Sequence, residues 1–310
     1  MGDETTLSGF DDSVSRPSED DRVFELQVGA NLPIPVLLAV PHGGRNYASD
    51  VLASLRHSGS RLRLEDRHAD TLAHAISEET GAALLVAKAP RALIDLNRAP
   101  DDVDWSMIHG DKPSRSNSLA NRRARSGLGL VPRRLPGLGE LWKHPLDRIE
   151  LDRRIDTVHR PYHQALGATL EEIRDHWGAA LLIDLHSMPP LRRRYQDEVA
   201  PEFVLGDRFG SSCHGGLIAT ALNYFGKSGR PVAHNQPYSG GYVLDRHGAP
   251  RRGIHAMQIE VCRTSYLDSR LEEPSARLPA VARLISGLVR ELAASVAELR
   301  KGDQLPQAAE

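Results

Sequence analysis

Residues 180–189, Ala180-Leu181-Leu182-Ile183-Asp184-Leu185-His186-Ser187-Met188-Pro189, constrain the fold of this chain more than any other stretch. The run is apolar for the length of a strand, turns polar, and ends on the pair Pro189 and Pro190. A buried parallel strand reads this way, with its carboxyl end opening into a loop. Ligands of open α/β sheets bind just outside such ends. Asp184 and His186 stand two apart, so on a strand they share a face. The pair suits a metal or acid–base element, and equally a buried histidine bonded to a neighbouring carboxylate.

Further strands are expected over residues 23–28, 36–40, 82–87, 203–207 and 254–261, from short apolar or alternating runs. Helices are expected over 62–80, 146–177, 213–225 and 279–299, with Pro161 kinking or dividing the second. Strands that alternate with helices argue for a mostly parallel sheet between helical layers. Several of the segments end in polar groups. The 36–40 run delivers Pro41-His42-Gly43-Gly44-Arg45, whose glycines allow a sharp turn and a close ligand approach. Glu65 and Asp66 fall in the first turn of the 62–80 helix, where acids complement the helix dipole or serve as a metal ligand. Asp66 and Asp70, four apart on that helix, repel unless a cation is near. Asn97 and Arg98 suit a loop edge, where arginine captures a carboxylate or pairs with Asp95 or Asp101. His163 reads as a core or surface residue.

Composition narrows the function. Residues 1–21 are acidic and poor in aliphatics, so a disordered tail is expected there, with a second polar tail over 302–310. One α/β domain is expected over 22–301, interrupted by an irregular Arg-, Gly- and Pro-rich insert at about 101–140 that reads as a lid. The insert lacks the interleaved aromatics of a nucleic-acid arm, and the net charge is −2, so no nucleic-acid partner is expected. No apolar run reaches the ~20 residues of a spanning helix, and the first twenty residues do not read as a secretory signal. Two cysteines, Cys213 and Cys262, suit a reducing cytoplasm. No nucleophile elbow, dinucleotide fingerprint or P-loop is present. The 14 histidines raise the weight of metal chemistry.

Two histidines and a carboxylate at converging strand ends would make an open catalytic zinc site. A further carboxylate at the rim would move the proton from water to a leaving amine. Arginines would hold a substrate carboxylate. The sum is metal-assisted hydrolysis of a small anionic amide.

Six motifs in order carry a more specific resemblance. They are Pro41-His42-Gly43-Gly44-Arg45, Asp66-x-x-x-Asp70, Ile94-Asp95-Leu96-Asn97-Arg98, Asp184-Leu185-His186-Ser187-Met188-Pro189, Asn235-x-Pro237-Tyr238-x-Gly240-Gly241-Tyr242 and Gln258-Ile259-Glu260-x-x-Arg263. Over about residues 36–268 the chain resembles the N-formylglutamate amidohydrolase family. The resemblance implies a zinc-exopeptidase-like, three-layer αβα sandwich with a mostly parallel, mixed central sheet. It implies an enzyme of amino-acid degradation that hydrolyses N-formyl-L-glutamate to formate and L-glutamate with one Zn2+ per chain. It implies His42, Asp66 and His186 as metal ligands, with Glu65 as the rival to Asp66, and Glu260 as general base and acid. Arg98, Asn97, Arg263, Tyr238 and Gly241 would line the substrate, and Asp184 would orient His186. The alternatives are a zinc amidase for another N-acyl amino acid or peptide, and a non-catalytic binding protein that keeps the fold. The sequence sets no oligomeric state.

Overall fold

A computed structural model describes residues 22–110, 122–193 and 199–302. The tail expected over 1–21, the middle of the insert and all but the first residue of the 302–310 tail lie outside the described residues.

The six expected strands and one more form a seven-stranded sheet. They are β1 (Phe24–Gln27), β2 (Val36–Val40), β3 (Ala83–Ala87), β4 (Ala180–Met188), β5 (Phe203–Gly206), β6 (Val232–His234) and β7 (Ile254–Cys262). Their spatial order is β1-β3-β2-β4-β7-β5-β6. The inner strands β3, β2, β4 and β7 run parallel. β1 closes one edge antiparallel to β3, and the parallel pair β5 and β6 closes the other antiparallel to β7. The short β6 was not anticipated.

Every residue of β2, β4 and β7 is buried, because helices cover both faces. The longer ones are α1 (Ala69–Thr80), α2 (Arg160–Trp177), α3 (Gly215–Lys227) and α5 (Leu278–Gly302), with the short α4 (Tyr242–His247). Val36, Leu38, Ile183 and Leu185 pack with Leu72 of α1, Phe225 of α3 and Ile285 of α5. The intervening residues Leu37, Ala39, Leu182 and Ala256 pack with Leu166 and Leu170 of α2 and Leu244 of α4 on the opposite face. The period-2 alternation of the strands thus separates two cores, each buried valine, leucine, isoleucine or phenylalanine contributing roughly 1.5–3 kcal/mol of transfer free energy.

Three local expectations are corrected. The helix expected over 62–80 is split into Arg61–Leu64 and α1, with His68 in the left-handed region at φ 57°. Glu65 and Asp66 therefore lie in the break, not in a first helical turn. The cause is tertiary, for the Asp66 N–H leaves the helical ladder and donates to the His42 carbonyl at 3.0 Å. Asp70 is neutralised by Arg45 at 2.9 and 2.6 Å rather than by a shared cation. In the 146–177 segment Pro161 neither kinks nor divides the helix outright. A helix at Arg148–Arg154 passes through a π turn at Ile155–His159 into α2, the Arg160 N–H donating to the Ile155 carbonyl. Pro161 sits in the first turn of α2, where its missing N–H is tolerated.

Gly44 also has a different reason from the one expected. A Cβ there would lie 2.1 Å from the Ala89 carbonyl oxygen, so the close approach is between backbones and not toward a ligand.

Candidate active site

The carboxyl ends of the four parallel strands share one rim of the sheet. His42 stands two residues beyond β2, and β3 leads into the 91–98 segment, which is a loop and not a strand end. β4 and β7 are in register so that Gln258 lies beside Asp184 and Glu260 beside His186. These four occupy the sheet face that lower down packs against α2. The apolar core there gives way to a polar floor beneath a cavity of about 330 Å³. A larger groove of about 730 Å³ along β6 shares none of the residues of that cavity.

Each histidine of the floor has its two ring nitrogens assigned to different tasks. His42 Nε2 donates to Asp95 Oδ1 at 2.7 Å, and His186 Nε2 donates to Asp184 Oδ2 at 2.9 Å. Both Nδ1 atoms then face one carboxylate oxygen, Asp66 Oδ2, at 3.4 Å from His42 and 2.9 Å from His186. His42 Nδ1 is buried and has no hydrogen-bond partner. In a neutral ring a nitrogen that does not carry the proton presents a lone pair. Lone pairs and carboxylate oxygen at such distances repel unless a proton or a cation lies among them. The ligand atoms of His42, Asp66 and His186 all lie within 4.8 Å of one another, so the group can hold a metal ion. Histidine whose far nitrogen is bonded to a carboxylate is the usual arrangement at such sites.

The charges respond accordingly. Burial alone would raise Asp66, but the neighbouring His186 and His42 imidazoles hold it well below the usual carboxylate range. Burial would lower His186, yet the neighbouring Asp184 carboxylate keeps it well above the ordinary imidazole value. Asp95 is held low against its burial chiefly by Arg91, then by His42. Glu260 is raised to about 7, first by burial, then by the negative charges of Asp66 and Asp184, which His186 opposes. A carboxyl near neutrality is matched to proton transfer in both directions.

Geometry separates Glu65 from Asp66. Glu65 turns to Arg67, whose Nη1 donates to it at 2.9 Å, and stays outside the His42, Asp66 and His186 group. Asp66 is held by Ser187 Oγ at 3.2 Å, and Ser187 in turn accepts from Arg263 Nε at 3.0 Å. Arg263 also donates to the Glu65 carbonyl at 2.6 Å. Arg98 lines the cavity while donating to the carbonyls of Leu128 and Asn97 at 2.9 and 2.7 Å. Asp102 lies 4.0 Å from its Nε, and the Arg98 charge also helps to hold Asp95 low. Asn97 donates from Nδ2 to Asp184 Oδ2 at 3.3 Å and accepts the Val243 N–H at 2.9 Å. Gly241 presses on it so closely that a Cβ would lie 2.5 Å from Asn97 Oδ1. Tyr238 and Gly241 border the cavity, as do Leu128 and Leu135 from the irregular insert.

Sequence reasoning missed three members of this site. Asp95 was weighed only as an arginine partner, although a carboxylate in the motif that carries Asn97 mirrors Asp184 before His186. Arg91 pairs with Asp95 at 2.9 Å. Gln258, two before Glu260 on one strand face, donates to Glu260 Oε1 at 2.8 Å. The same i, i+2 logic that linked Asp184 to His186 would have found it.

Known proteins resemble this chain in sequence and in fold. The sequence model of the N-formylglutamate amidohydrolase family matches residues 34–267. The N-formylglutamate deformylase of Pseudomonas aeruginosa is 29% identical over 267 residues, covering 85% of this chain and 92% of its own. That of Pseudomonas putida is 29% identical over 252 residues, covering 80% and 86%. The crystal structure of N-formylglutamate amidohydrolase from Ralstonia eutropha JMP134 superimposes with a TM-score of 0.79 at 30% identity, covering 90% of this chain and 99% of that one. A gene product of Agrobacterium tumefaciens at 18% identity shares the fold alone, with a TM-score of 0.61 and coverage of 89% and 96%. No described helix is long and apolar enough to cross a membrane. From the match over most of its length, the chain belongs to the N-formylglutamate amidohydrolase family and is an amidohydrolase.

Proposed function

We propose that this protein hydrolyses the amide bond of N-formyl-L-glutamate, giving formate and L-glutamate, in the cytoplasm and with one Zn2+ per chain. The observation that carries the zinc reading is the pair of histidine Nδ1 atoms aimed at one Asp66 oxygen, with His42 Nδ1 buried and unbonded. An N, N, O donor set with room for water suits catalytic zinc. His42, Asp66 and His186 would hold the ion. When bound, it supplies Lewis acidity, which brings the ionisation of water near neutrality and polarises a carbonyl.

The residues around that set divide the remaining work. Asp95 and Asp184 fix the tautomer and the plane of the two imidazoles. Glu260 takes a proton from the attacking water and returns it to the amine nitrogen as the C–N bond breaks, so no proton leaves the site. Gln258 holds the carboxyl that does this. Arg263 binds the α-carboxylate of the substrate while its bonds to Ser187 and the Glu65 carbonyl keep it in place. Asn97, Arg98, Tyr238 and Gly241 shape the wall against which the acyl amino acid lies, and the insert residues Leu128 and Leu135 help to exclude water from it.

The test is formate release from N-formylglutamate by protein loaded with zinc, set beside the same assay on Glu260→Gln. The variant should lose about 10²- to 10⁴-fold in kcat and keep its metal. Undiminished turnover in that variant, or full activity without metal, would remove the reading.

A further inference from the structure

Arg63, Arg91, Arg98 and Arg263 all line the cavity. Three of them are bound to the protein: Arg91 to Asp95, Arg98 to two backbone carbonyls, and Arg263 to Ser187 and the Glu65 carbonyl. Arg63 differs. It is exposed, and among the described residues it makes no hydrogen bond, ion pair or ring contact. It stands at the end of the helix Arg61–Leu64, three residues before Asp66. Its Nη1 lies beside the turn of the insert hairpin, where a Cβ built on Gly137 would come within 3.9 Å of it.

The charge balance of the site gives this arginine its meaning. Four carboxyl groups, Asp66, Asp95, Asp184 and Glu260, are buried around the floor. A substrate with one carboxylate can be met by the deep Arg263, whose side chain is 12% exposed. Against the four carboxyl groups stand Arg91, Arg98 and Arg263, each already bonded to protein groups, so a second carboxylate is best met by a cation that is not. The chemistry of an acyl glutamate also sets where that cation must be. The α-carboxylate sits one carbon from the scissile nitrogen and stays deep. The side-chain carboxylate lies two methylenes further out, toward the mouth, where Arg63 is.

We propose that Arg63 is a specificity-determining residue, its guanidinium receiving the side-chain carboxylate of an N-acyl acidic amino acid at the mouth of the cavity. This rests on the amidohydrolase reading above and deepens it, for it says why a dicarboxylate is chosen over a neutral acyl amino acid. Guanidinium matches carboxylate in a two-pronged fork, which lysine cannot copy.

The experiment compares N-formylglutamate with its neutral isostere N-formylglutamine, on zinc-loaded wild type, Arg63→Gln and Arg63→Lys. Arg63→Gln should lower kcat/KM for N-formylglutamate about 10- to 100-fold, mostly through KM, as expected for loss of a charge-assisted bond. N-formylglutamine should change by less than about threefold. Arg63→Lys should recover part of the loss. Equal losses on both substrates, no loss on either, or a wild type that favours the neutral amide would overturn the role of Arg63 while leaving the hydrolase reading intact. A wild type that releases formate from neither substrate would instead overturn the hydrolase reading, and Arg63 with it.

Discussion

Two groups of buried histidines lie on either side of the 91–98 loop, and they differ in what holds their nitrogens. His42 and His186 donate from Nε2 to carboxylates and turn Nδ1 toward Asp66. Among the described residues, His159, His163 and His247 touch no carboxylate. His159 Nε2 donates to the Arg98 carbonyl and His163 Nε2 to the Leu96 carbonyl, each at 2.9 Å. His163 Nδ1 must then accept, so His247 Nε2 donates to it at 2.9 Å. Burial pushes His163 down to about 2 and His247 down to about 3, with neighbouring positive groups adding to it, whereas Asp184 holds His186 up. Burial is thus opposed by a carboxylate in His186 and not in His163 or His247, and the far-nitrogen partner decides which. The carboxylate-bonded pair is disposed to share a cation. The other three form a neutral brace, two on backbone carbonyls and His247 behind His163, that with Arg154 on the Leu93 carbonyl at 2.9 Å pins the loop carrying Asp95, Asn97 and Arg98.

The contrast can be broken most directly by removing one ring from each group. His186→Ala should bring metal content from one ion per chain toward none and abolish turnover, while His163→Ala should still bind metal, as read by elemental analysis after dialysis. If His163→Ala also came out metal-free, the two groups would be one functional unit. A smaller effect sharpens the role of the carboxylates. Asp95→Asn should weaken metal affinity about 10- to 100-fold in a chelator competition, and His247→Phe should leave it unchanged.

The smallest effect belongs to the brace and is read in stability. Its histidines stay neutral when folded and take up protons near 6.5 when unfolded, so the unfolded state binds more protons as the pH falls below that value. Each of His163 and His247 should therefore cost about 1.4 kcal/mol per pH unit on acidification from about 6.5 toward their folded values. His247→Phe should make the urea midpoint less sensitive to pH between 6 and 4. An unchanged slope would mean that His247 is solvated in the native state.

What could be read in advance follows from how far apart the deciding atoms are along the chain. The Val-Leu-Leu-Ala-Val and Ala-Leu-Leu-Ile runs declare buried strands locally, and His186 with Asp184 is a contact between i and i+2. The edges of the sheet were less legible, because β5 and β6 are too short to state their direction. The break at Glu65 was hidden because its cause, the Asp66 amide on the His42 carbonyl, joins residues from separate elements. Asp95 escaped for the same reason, as its partner is 53 residues away. The pattern could narrow the acid to Glu65 or Asp66, but only the path of the chain through that break brings Asp66 to the two imidazoles.

The π turn ahead of α2 gives the long helix a property of its own. An extra residue in one turn rotates everything after it by about 100° relative to an uninterrupted α-helix. His159 closes that turn, and His163 follows one turn later, so the facing of both rings toward the loop is a matter of phase as well as residue identity. Deleting any one residue of 156–158 would let a regular helix form and would swing His163 off the Leu96 carbonyl, with no side chain of the polar floor altered. In this stretch the number of residues is itself a constraint. A variant with every named side chain in place but one position fewer would be expected to lose the alignment of the cavity wall.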